Sequence, residues 1–194
     1  NAADRCSYCK HALMDAVQPF ADKNNATVVL GANLDDQGDH RPGQKTAAMM
    51  GAKFPLVDAG FSKADVRGHS RELGLRTWDK PAAACLASRI PYGTRVTIET
   101  LVAIERSERG LRRLGFNDLR VRHYDEIARI EVPVERLADV LLQREEVIEA
   151  VQRAGYRYVT LDLEGLRSGN LNAALSDDEL EPSDMEPVRT SLDA

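Results

Sequence analysis

The sequence predicts an α/β fold followed by a smaller α+β module. A helical pattern near its start leads into a β-branched run at 26–33 whose apolar part ends at Gly31, which is typical of a buried strand in a parallel sheet. After Thr97 the predicted order of elements changes to αββαβ, which is typical of a compact α+β unit. These observations place a first domain at 1–96 and a second at 97–175.

Composition and charge exclude several classes of protein. The 194 residues carry a formal net charge of −5, which argues against a general nucleic-acid binder or a membrane-surface protein. No apolar run is long enough to span a bilayer, and there is no secretory leader pattern. Three cysteines without a disulfide framework fit a reducing compartment, so we expect a cytoplasmic protein.

The first domain begins with a helix from Arg5 to Ala21, which Asp4 is placed to cap. The apolar positions of this helix recur at helical spacing and are Leu13, Val17, Phe20 and Ala21. The strand at 26–33 comes next, followed by a loop at 34–43 that is rich in Asp and Gly. A loop at the carboxyl end of a parallel strand is where α/β proteins bind ligands.

Two signals mark the rest of the first domain. Ser62 and Asp65 form a capping box for a helix that ends before Gly74. The segment 78–93 contains two prolines, shows no periodicity and carries Cys85. A long irregular stretch inside a compact domain is usually a functional loop, so we expect one here.

The second domain has clear local signals. Thr97 caps a helix that runs to about Leu114 and is closed by Gly115, and two alternating runs joined by Asp125 and Glu126 predict a β-hairpin. The alternating runs are 119–124 and 128–132, a helical stretch with a break near Gln143 covers 134–154, and a last strand covers 156–163. The acidic tail at 176–194 is predicted to be disordered.

The three cysteines form the first candidate site. Cys6 and Cys9 make a C-x-x-C pair at the start of the first helix, where the helix dipole favours thiolate, and Cys85 stands alone. Three thiolates can hold three corners of a four-iron cluster. Alternatively, two can hold a metal while the third reacts, or the three cysteines can be unrelated.

Zinc is the rival to iron–sulfur at these cysteines. A Cys₃His site would recruit one of the four histidines, which are His11, His40, His69 and His123. Structural zinc sites usually combine two close pairs of ligands, and the sequence has no second pair, so we favour iron–sulfur.

A second candidate site follows the predicted strand. Gly31 is followed by Asn33 and by two adjacent carboxylates, Asp35 and Asp36. Carboxylates hold Mg²⁺ beside phosphates, so the pattern predicts a site for a nucleotide and Mg²⁺. The alternative is a polar turn whose Asn and Asp side chains bind their own backbone, and spacing alone slightly favours it.

Charged residues of the second half form a third candidate site. Arg89 follows Cys85 by four residues, where a guanidinium lowers the pKa of a thiol or clamps a phosphate. The hairpin would place four charged side chains on one face, namely Arg120, Arg122, Arg129 and Glu131. Spacing alone predicts that this face is solvated, and Glu105 and Glu108 on the preceding helix are expected to be solvated too.

Four strings in the sequence carry a family resemblance. They are NAADRCSYCK at 1–10, GANLDDQGDHRPG at 31–43, WDKPAAACLASR at 78–89 and LEGLRSGNLN at 163–172. Together they resemble the LarE family, ATP-dependent pyridinium-3,5-biscarboxylic acid mononucleotide sulfurtransferases of the PP-loop ATP pyrophosphatase superfamily. The resemblance implies a parallel-sheet domain of the adenine nucleotide alpha hydrolase type, with its N-terminal part missing, followed by the small α+β domain.

The resemblance also implies a two-step reaction in the biosynthesis of the nickel-pincer cofactor of lactate racemase. ATP, with Mg²⁺, adenylates a substrate carboxylate and releases pyrophosphate, and a sulfur nucleophile then displaces AMP to leave a thiocarboxylate. In members with one cysteine, the counterpart of Cys85 gives up its own sulfur. In members with three, the cysteines resemble ligands of a [4Fe–4S] cluster, so Cys6, Cys9 and Cys85 fit the cluster type, with Cys85 also catalytic.

The same resemblance assigns roles in substrate binding to seven residues, namely Ser88, Arg89, Glu108, Arg120, Arg122, Glu131 and Asp139. Arg120 and Arg122 would hold a phosphate or the second carboxylate of the substrate. Ser88 and Arg89 would line the sulfur-transfer site, and the three acidic residues would contact metal or substrate. Under the resemblance, the arginine face of the hairpin is functional rather than solvated.

One departure from the family concerns the phosphate-gripping loop S-G-G-x-D-S, which is absent and is expected upstream of Asn1. We therefore expect the C-terminal portion of a longer enzyme, with poor ATP binding and no activity by itself. The resemblance further implies a homo-oligomer, a nucleotide-like small-molecule substrate and a sulfur donor protein. The alternatives are a tRNA-thiolating PP-loop enzyme, against which the acidic balance counts, and a non-catalytic zinc-binding module.

Overall fold

The computed structural model describes residues 1–37, 42–80, 84–167 and 170. They divide into two compact units: the first unit contains residues 2–80, and the second contains Asn1 with 84–170. The division falls upstream of residue 96 because a 3₁₀ turn at Leu86–Arg89 and the buried Ile90 pack with the second half of the chain. The predicted tail at 176–194 lies outside the described residues. None of the described helices has the length and apolar character needed to cross a membrane.

The first unit is built from helices. They are α1 (Arg5–Lys23), α2 (Pro42–Met49), α3 (Pro55–Asp58) and α4 (Lys63–Glu72). Asp4 occupies the N-cap position of α1, but its side chain makes no capping hydrogen bond. Its backbone is not in the extended conformation that lets a cap side chain reach the first turn, so the predicted cap is wrong.

The buried side of α1 also differs from the prediction. Met14 and Ala21 are buried, so the prediction is confirmed for Ala21, whereas the predicted apolar positions Leu13 and Phe20 are 48% and 71% exposed. The reason is the position of α2, whose Ala47 packs in one cluster with Met14. A Cβ added to Gly43 would lie 2.8 Å from the backbone oxygen of Cys6, so only glycine allows α2 to approach α1 this closely.

The strand predicted at 26–33 does not form as a ladder. Val29 makes a single parallel bridge with Lys53, in which the Leu30 amide donates to the Lys53 oxygen at 2.9 Å. Strand pairing needs a partner of matching length, and among the described residues of this unit only the segment at Lys53 pairs here. Val29 therefore remains 59% exposed.

The capping box predicted for α4 is confirmed. The Asp65 amide donates to the Ser62 hydroxyl at 3.2 Å, and the Ser62 amide donates to the Asp65 carboxylate at 2.9 Å. The helix ends at Glu72, and Gly74 follows with a positive φ of 69°. The sequence predicts both ends of this helix because each signal lies within one or two helical turns of the end that it marks.

The second unit has the predicted αββαβ order. Its elements are α5 (Ile98–Arg113), β1 (Arg120–Tyr124), β2 (Ile127–Glu131), α6 (Leu137–Leu142), α7 (Arg144–Gln152) and β3 (Tyr158–Leu161). Thr97 caps α5, Asp125 turns the hairpin with a φ of 50°, and Gln143 separates α6 from α7. The sheet order is β1-β2-β3, with β1 antiparallel and β3 parallel to β2.

The core of the second unit lies on one face of this sheet. Side chains from β1, β2, α5 and α7 form it, including Val121, Ile130, Ile104 and Val151. Because Arg120 lies opposite Glu131 and Arg122 lies opposite Arg129, these four charged side chains share the other face. The alternation of the strands therefore predicts correctly which residues face together.

His123 makes the stability of the second unit depend on pH. Its Nδ1 lies 3.1 Å from the Tyr156 hydroxyl, and burial lowers the pKa of His123 below its ordinary 6.5, against a smaller opposing effect of Asp125. The unfolded chain therefore binds the imidazole proton more readily than the folded chain. This contribution to stability is present above pH 6.5 and is lost as the pH falls.

We expect the urea midpoint of His123→Gln to fall less than that of the wild type between about pH 7 and about pH 5. Circular dichroism during urea titration measures both midpoints. His11→Gln, at an exposed position of α1, should follow the wild type. Equal pH slopes in the wild type and His123→Gln would contradict the prediction.

Candidate functional site

Cys85 stands at the start of the 3₁₀ turn Leu86–Arg89, and its side chain is exposed. Its carbonyl oxygen accepts hydrogen bonds from the Ser88 amide at 3.0 Å and the Ser88 hydroxyl at 2.7 Å. The backbone of Cys85 is therefore held by the turn while the thiol remains accessible.

Arg89 is buried, at 5% exposure. It joins residues 84–88, which we call the Cys85 loop, to α5. Its Nε donates to Glu108 at 2.8 Å, and its Nη1 donates to the Ala84 oxygen and the Ser88 hydroxyl, both at 3.0 Å. One edge of the guanidinium thus binds a carboxylate and the other binds the loop. The planar fork of arginine makes this division possible.

Glu108 is 1% exposed, so the solvated position expected for it is wrong. The carboxylate is buried because it meets a full set of donors. Besides Arg89, it accepts from Arg112 at 2.8 Å and from the Val121 amide at 3.2 Å. A buried carboxylate needs this many charged and polar partners to offset the loss of water.

Arg122 and Glu131 form a second buried ion pair, on the face of the sheet opposite the hydrophobic core. Arg122 is 2% exposed and Glu131 is 0% exposed, so for these two residues the solvated reading of the hairpin is also wrong. Arg122 Nε donates to Glu131 at 2.9 Å, and its Nη1 donates to the Ser88 oxygen at 2.7 Å. Glu131 also accepts from Arg129 at 3.2 Å and from Asn170 at 2.7 Å.

Arg120 differs from its neighbours because it forms no ion pair with the described residues. Its Nη1 donates to the Arg167 carbonyl oxygen at 3.0 Å. Partial burial lowers the pKa of Arg120, and the nearby positive charges of Arg122 and Arg89 lower it further. An anion beside Arg120 would relieve both effects, so this guanidinium is the natural anion-binding group of the face.

The structure brings six of the seven predicted substrate residues into one connected network. Hydrogen bonds link five of them, namely Ser88, Arg89, Glu108, Arg122 and Glu131. Arg120 lies on the same face as Arg122 and Glu131, close enough to feel their charges. Asp139 is engaged elsewhere, since it accepts from Arg136 Nε at 2.6 Å in the first turn of α6.

The predicted nucleotide site lies in the first unit and is a 3₁₀ turn, Leu34–Asp36. Asn33 accepts from the Asp35 amide at 3.1 Å, and Asp36 accepts from the Asn33 amide at 3.1 Å. Asp35 accepts from the Lys63 amide at 2.5 Å. This is the arrangement of a polar turn bound to its own backbone. A Cβ at Gly31 would meet no atom within 4 Å, so no close contact requires glycine there. Nucleotide and Mg²⁺ binding stay predictions.

Cys6 and Cys9 are exposed one turn apart on α1 of the first unit, and Cys85 belongs to the second unit. No group of three His, Cys, Asp or Glu side chains suited to a metal ion occurs among the described residues. Three exposed thiols have the donor chemistry that an iron–sulfur cluster requires, so the shared cluster stays a prediction.

The histidines that a zinc site would recruit have other neighbours. His11 lies 3.6 Å from Asp15, and His69 lies 3.0 Å from Glu72. His123 contacts the Tyr156 hydroxyl, and His40 lies outside the described residues.

Comparison with known proteins identifies relatives of the chain. No protein-family model matches the sequence. An uncharacterized protein of Synechocystis sp. is 44% identical over 179 residues, covering 91% of the chain and 67% of that protein. The pyridinium-3,5-bisthiocarboxylic acid mononucleotide synthase of Lactiplantibacillus plantarum is 40% identical over 181 residues, covering 93% of the chain and 66% of that protein. The chain belongs to the LarE family.

A third relative is less similar in sequence. An uncharacterized protein of Methanocaldococcus jannaschii is 30% identical over 169 residues, covering 87% of the chain and 66% of that protein. The chain spans about two thirds of the length of each of these curated relatives.

Two members of the network in this LarE chain were not singled out from sequence. Arg112 could have been found, because it follows Glu108 by four residues on α5. Helical periodicity could also have predicted the burial of Glu108. It lies four residues after Ile104 and three before Leu111, which places it on the buried apolar face of α5. Asn170 carries no such signal, because it meets Glu131 across 39 positions of chain.

Removing Arg122 should destabilise the second unit. Arg122→Met leaves Glu131 buried without its main partner, so we expect the free energy of unfolding to fall by about 3–5 kcal/mol. The double variant Arg122→Met/Glu131→Leu should recover much of that loss, because neither buried charge then remains. Urea denaturation measures both.

Arg144→Met is the control for this comparison, since Arg144 is 71% exposed and pairs with an exposed Glu145. It should change the unfolding free energy by less than about 1 kcal/mol. An equally small effect of Arg122→Met would show that the buried pair does not hold the face together.

Proposed function

We propose that this chain is the sulfur-transfer portion of an ATP-dependent enzyme acting on pyridinium-3,5-biscarboxylic acid mononucleotide. The product would be the thiocarboxylate used in the nickel-pincer cofactor of lactate racemase. The name of the Lactiplantibacillus plantarum relative, a pyridinium-3,5-bisthiocarboxylic acid mononucleotide synthase, supports this substrate and product. The family resemblance also suggests a cytoplasmic homo-oligomer served by a sulfur donor protein.

One observation carries the proposal: Arg122 joins the Cys85 loop to β1, which also carries Arg120, a cation without an ion-pair partner among the described residues. Its Nη1 holds the Ser88 oxygen at 2.7 Å, and Arg120 lies two residues earlier on β1, on the same face. An exposed sulfur and an anion-binding guanidinium are therefore fixed in one unit. A substrate with a phosphate or a second carboxylate bound at Arg120 would present its activated carboxylate toward the Cys85 loop.

The chemistry balances in two steps. A substrate carboxylate oxygen attacks the α-phosphorus of ATP, and pyrophosphate leaves. A sulfur nucleophile then attacks the acyl carbon, and the acyl C–O bond breaks with its electron pair leaving on AMP. The buried ion pairs of Arg89 and Arg122 keep the loop backbone fixed during the exchange.

Cys6, Cys9 and Cys85 would hold a [4Fe–4S] cluster whose open iron supplies a sulfide as the nucleophile. All three thiols are exposed, which suits ligation of a shared group. If no cluster forms, the sulfur of Cys85 itself is the alternative nucleophile, and its loss would convert that residue to dehydroalanine.

Arg120→Ala should weaken substrate binding in the full-length enzyme. We expect the KM for the mononucleotide to rise about 10- to 100-fold, the effect of one lost charge-assisted hydrogen bond. Folding should be unaffected because Arg120 has no ion-pair partner among the described residues. Sulfur insertion assayed across a substrate concentration series measures the change.

The matched control for Arg120→Ala is Arg157→Ala, which removes an exposed arginine that lies 3.7 Å from the Glu126 carboxylate. It should retain wild-type kinetics. Wild-type KM in Arg120→Ala would remove this residue from the substrate site.

The cysteines are tested by metal content. Full-length protein purified without oxygen should contain iron and labile sulfide, and each of Cys6→Ser, Cys9→Ser and Cys85→Ser should lower both. Zinc in place of iron would exclude the cluster. A mass loss at Cys85 after one turnover, without iron, would instead identify this residue as a sacrificial sulfur source.

A further inference from the structure

The segment that follows β3 continues beside the end of β2. The Asp162 amide donates to the Ile130 oxygen at 2.9 Å, and the Leu166 amide donates to the Val132 oxygen at 2.8 Å. We call residues 162–167, together with Asn170, the strap. It contains most of the last string of the family resemblance, to which the proposed reaction gives no role.

Gly165 anchors the strap. It has a φ of 75°, and a Cβ there would lie 2.8 Å from Val134 Cγ2 and 3.0 Å from the Val132 oxygen. The Val132 oxygen is also the acceptor for Leu166. Any side chain at 165 would therefore push the strap away from β2 at the point where it is attached.

The strap binds the arginine face through one ion pair and two hydrogen bonds. The Asp162 carboxylate lies 3.4 Å from Arg129 Nε. The Arg167 carbonyl accepts from Arg120 at 3.0 Å, and the Asn170 amide donates to Glu131 at 2.7 Å. An oxygen of the strap thus occupies the donor of the one arginine on this face that lacks a carboxylate partner among the described residues.

Three buried side-chain atoms of the face make no hydrogen bond with the strap in place. They are Arg122 Nη2, Arg129 Nε and Glu131 Oε2, none of which has a hydrogen-bond partner among the described residues. Buried polar groups without partners are rare and costly, so they indicate a position where another molecule binds. The strap therefore satisfies Arg120 but leaves its neighbours incomplete.

We propose that the strap and an anionic ligand compete for Arg120, so that the strap must lift before a phosphate or carboxylate group can bind. This rests on the proposed function, in which Arg120 holds such a group of the substrate. The Arg167 carbonyl oxygen stands in for a ligand oxygen, and Asn170 holds Glu131 until the ligand arrives. The stability of the strap then determines how tightly the ligand binds at Arg120, and the strap is displaced when the ligand is bound.

The test uses inorganic phosphate and the 194-residue chain. Phosphate should accelerate hydrogen exchange at the Leu166 amide, because ligand binding unseats the strap. Gly165→Ala and Asn170→Ala weaken the strap at different points, and each should bind phosphate about threefold to tenfold more tightly than the wild type, the effect of removing one competing hydrogen bond. Titration followed by amide NMR measures both quantities.

Leu163→Ala is the matched control, since Leu163 lies on the strap and is 79% exposed. It should bind phosphate as the wild type does. If phosphate binding depends on Arg120 but the two weakened variants match the wild type, the strap proposal fails and the proposed function stands. If Arg120→Ala does not change phosphate binding, the anion site fails and the strap proposal fails with it. If Gly165→Ala does not fold, the phosphate affinity of Asn170→Ala tests the strap proposal by itself.

Discussion

The burial of two glutamates, Glu108 and Glu131, is the constraint on which the second unit depends. A carboxylate removed from water is costly unless it is paired and hydrogen-bonded, and each of these carboxylates holds two arginines. Replacing such pairs by apolar residues often leaves stability unchanged, so their value lies in geometry. They fix Arg89 and Arg122, whose remaining N–H groups then bind the carbonyl and hydroxyl oxygens of the Cys85 loop.

In this arrangement Arg89 and Arg122 make different contacts from Arg120. Arg89 and Arg122 each use one edge of the guanidinium for a carboxylate and another for the loop, which the single point charge of a lysine could not do. Arg120 is on the same face but has no carboxylate partner among the described residues, and its Nη1 donates to a backbone carbonyl instead. The resemblance assigned Arg120 and Arg122 the same role, whereas in the structure Arg122 pairs with a buried carboxylate and Arg120 binds a backbone carbonyl.

The sequence predicted the second unit well because its signals are local. The cap at Thr97, the turn at Asp125 and the break at Gln143 each depend on residues within one or two turns. Alternation also predicted which charged residues share a face. It could not predict that Arg122 and Glu131 are buried, because the Cys85 loop and Asn170 cover them from 34 and 39 positions away. The strand at 26–33 failed for a related reason, since pairing depends on a partner that propensity does not reveal.

A cysteine that holds or donates sulfur has two conflicting needs, because its thiol must be reachable while its position must be fixed. The structure meets both at Cys85 by holding the backbone oxygens of Cys85 and Ser88 and leaving the side chain exposed. Cys6 is also exposed, in the first turn of α1, where the close approach of Gly43 leaves no room for a larger residue at position 43. In both places the thiol is accessible while its backbone belongs to a regular turn. The proposed roles, ligation of a cluster or donation of sulfur, require this combination of an accessible thiol and a fixed backbone.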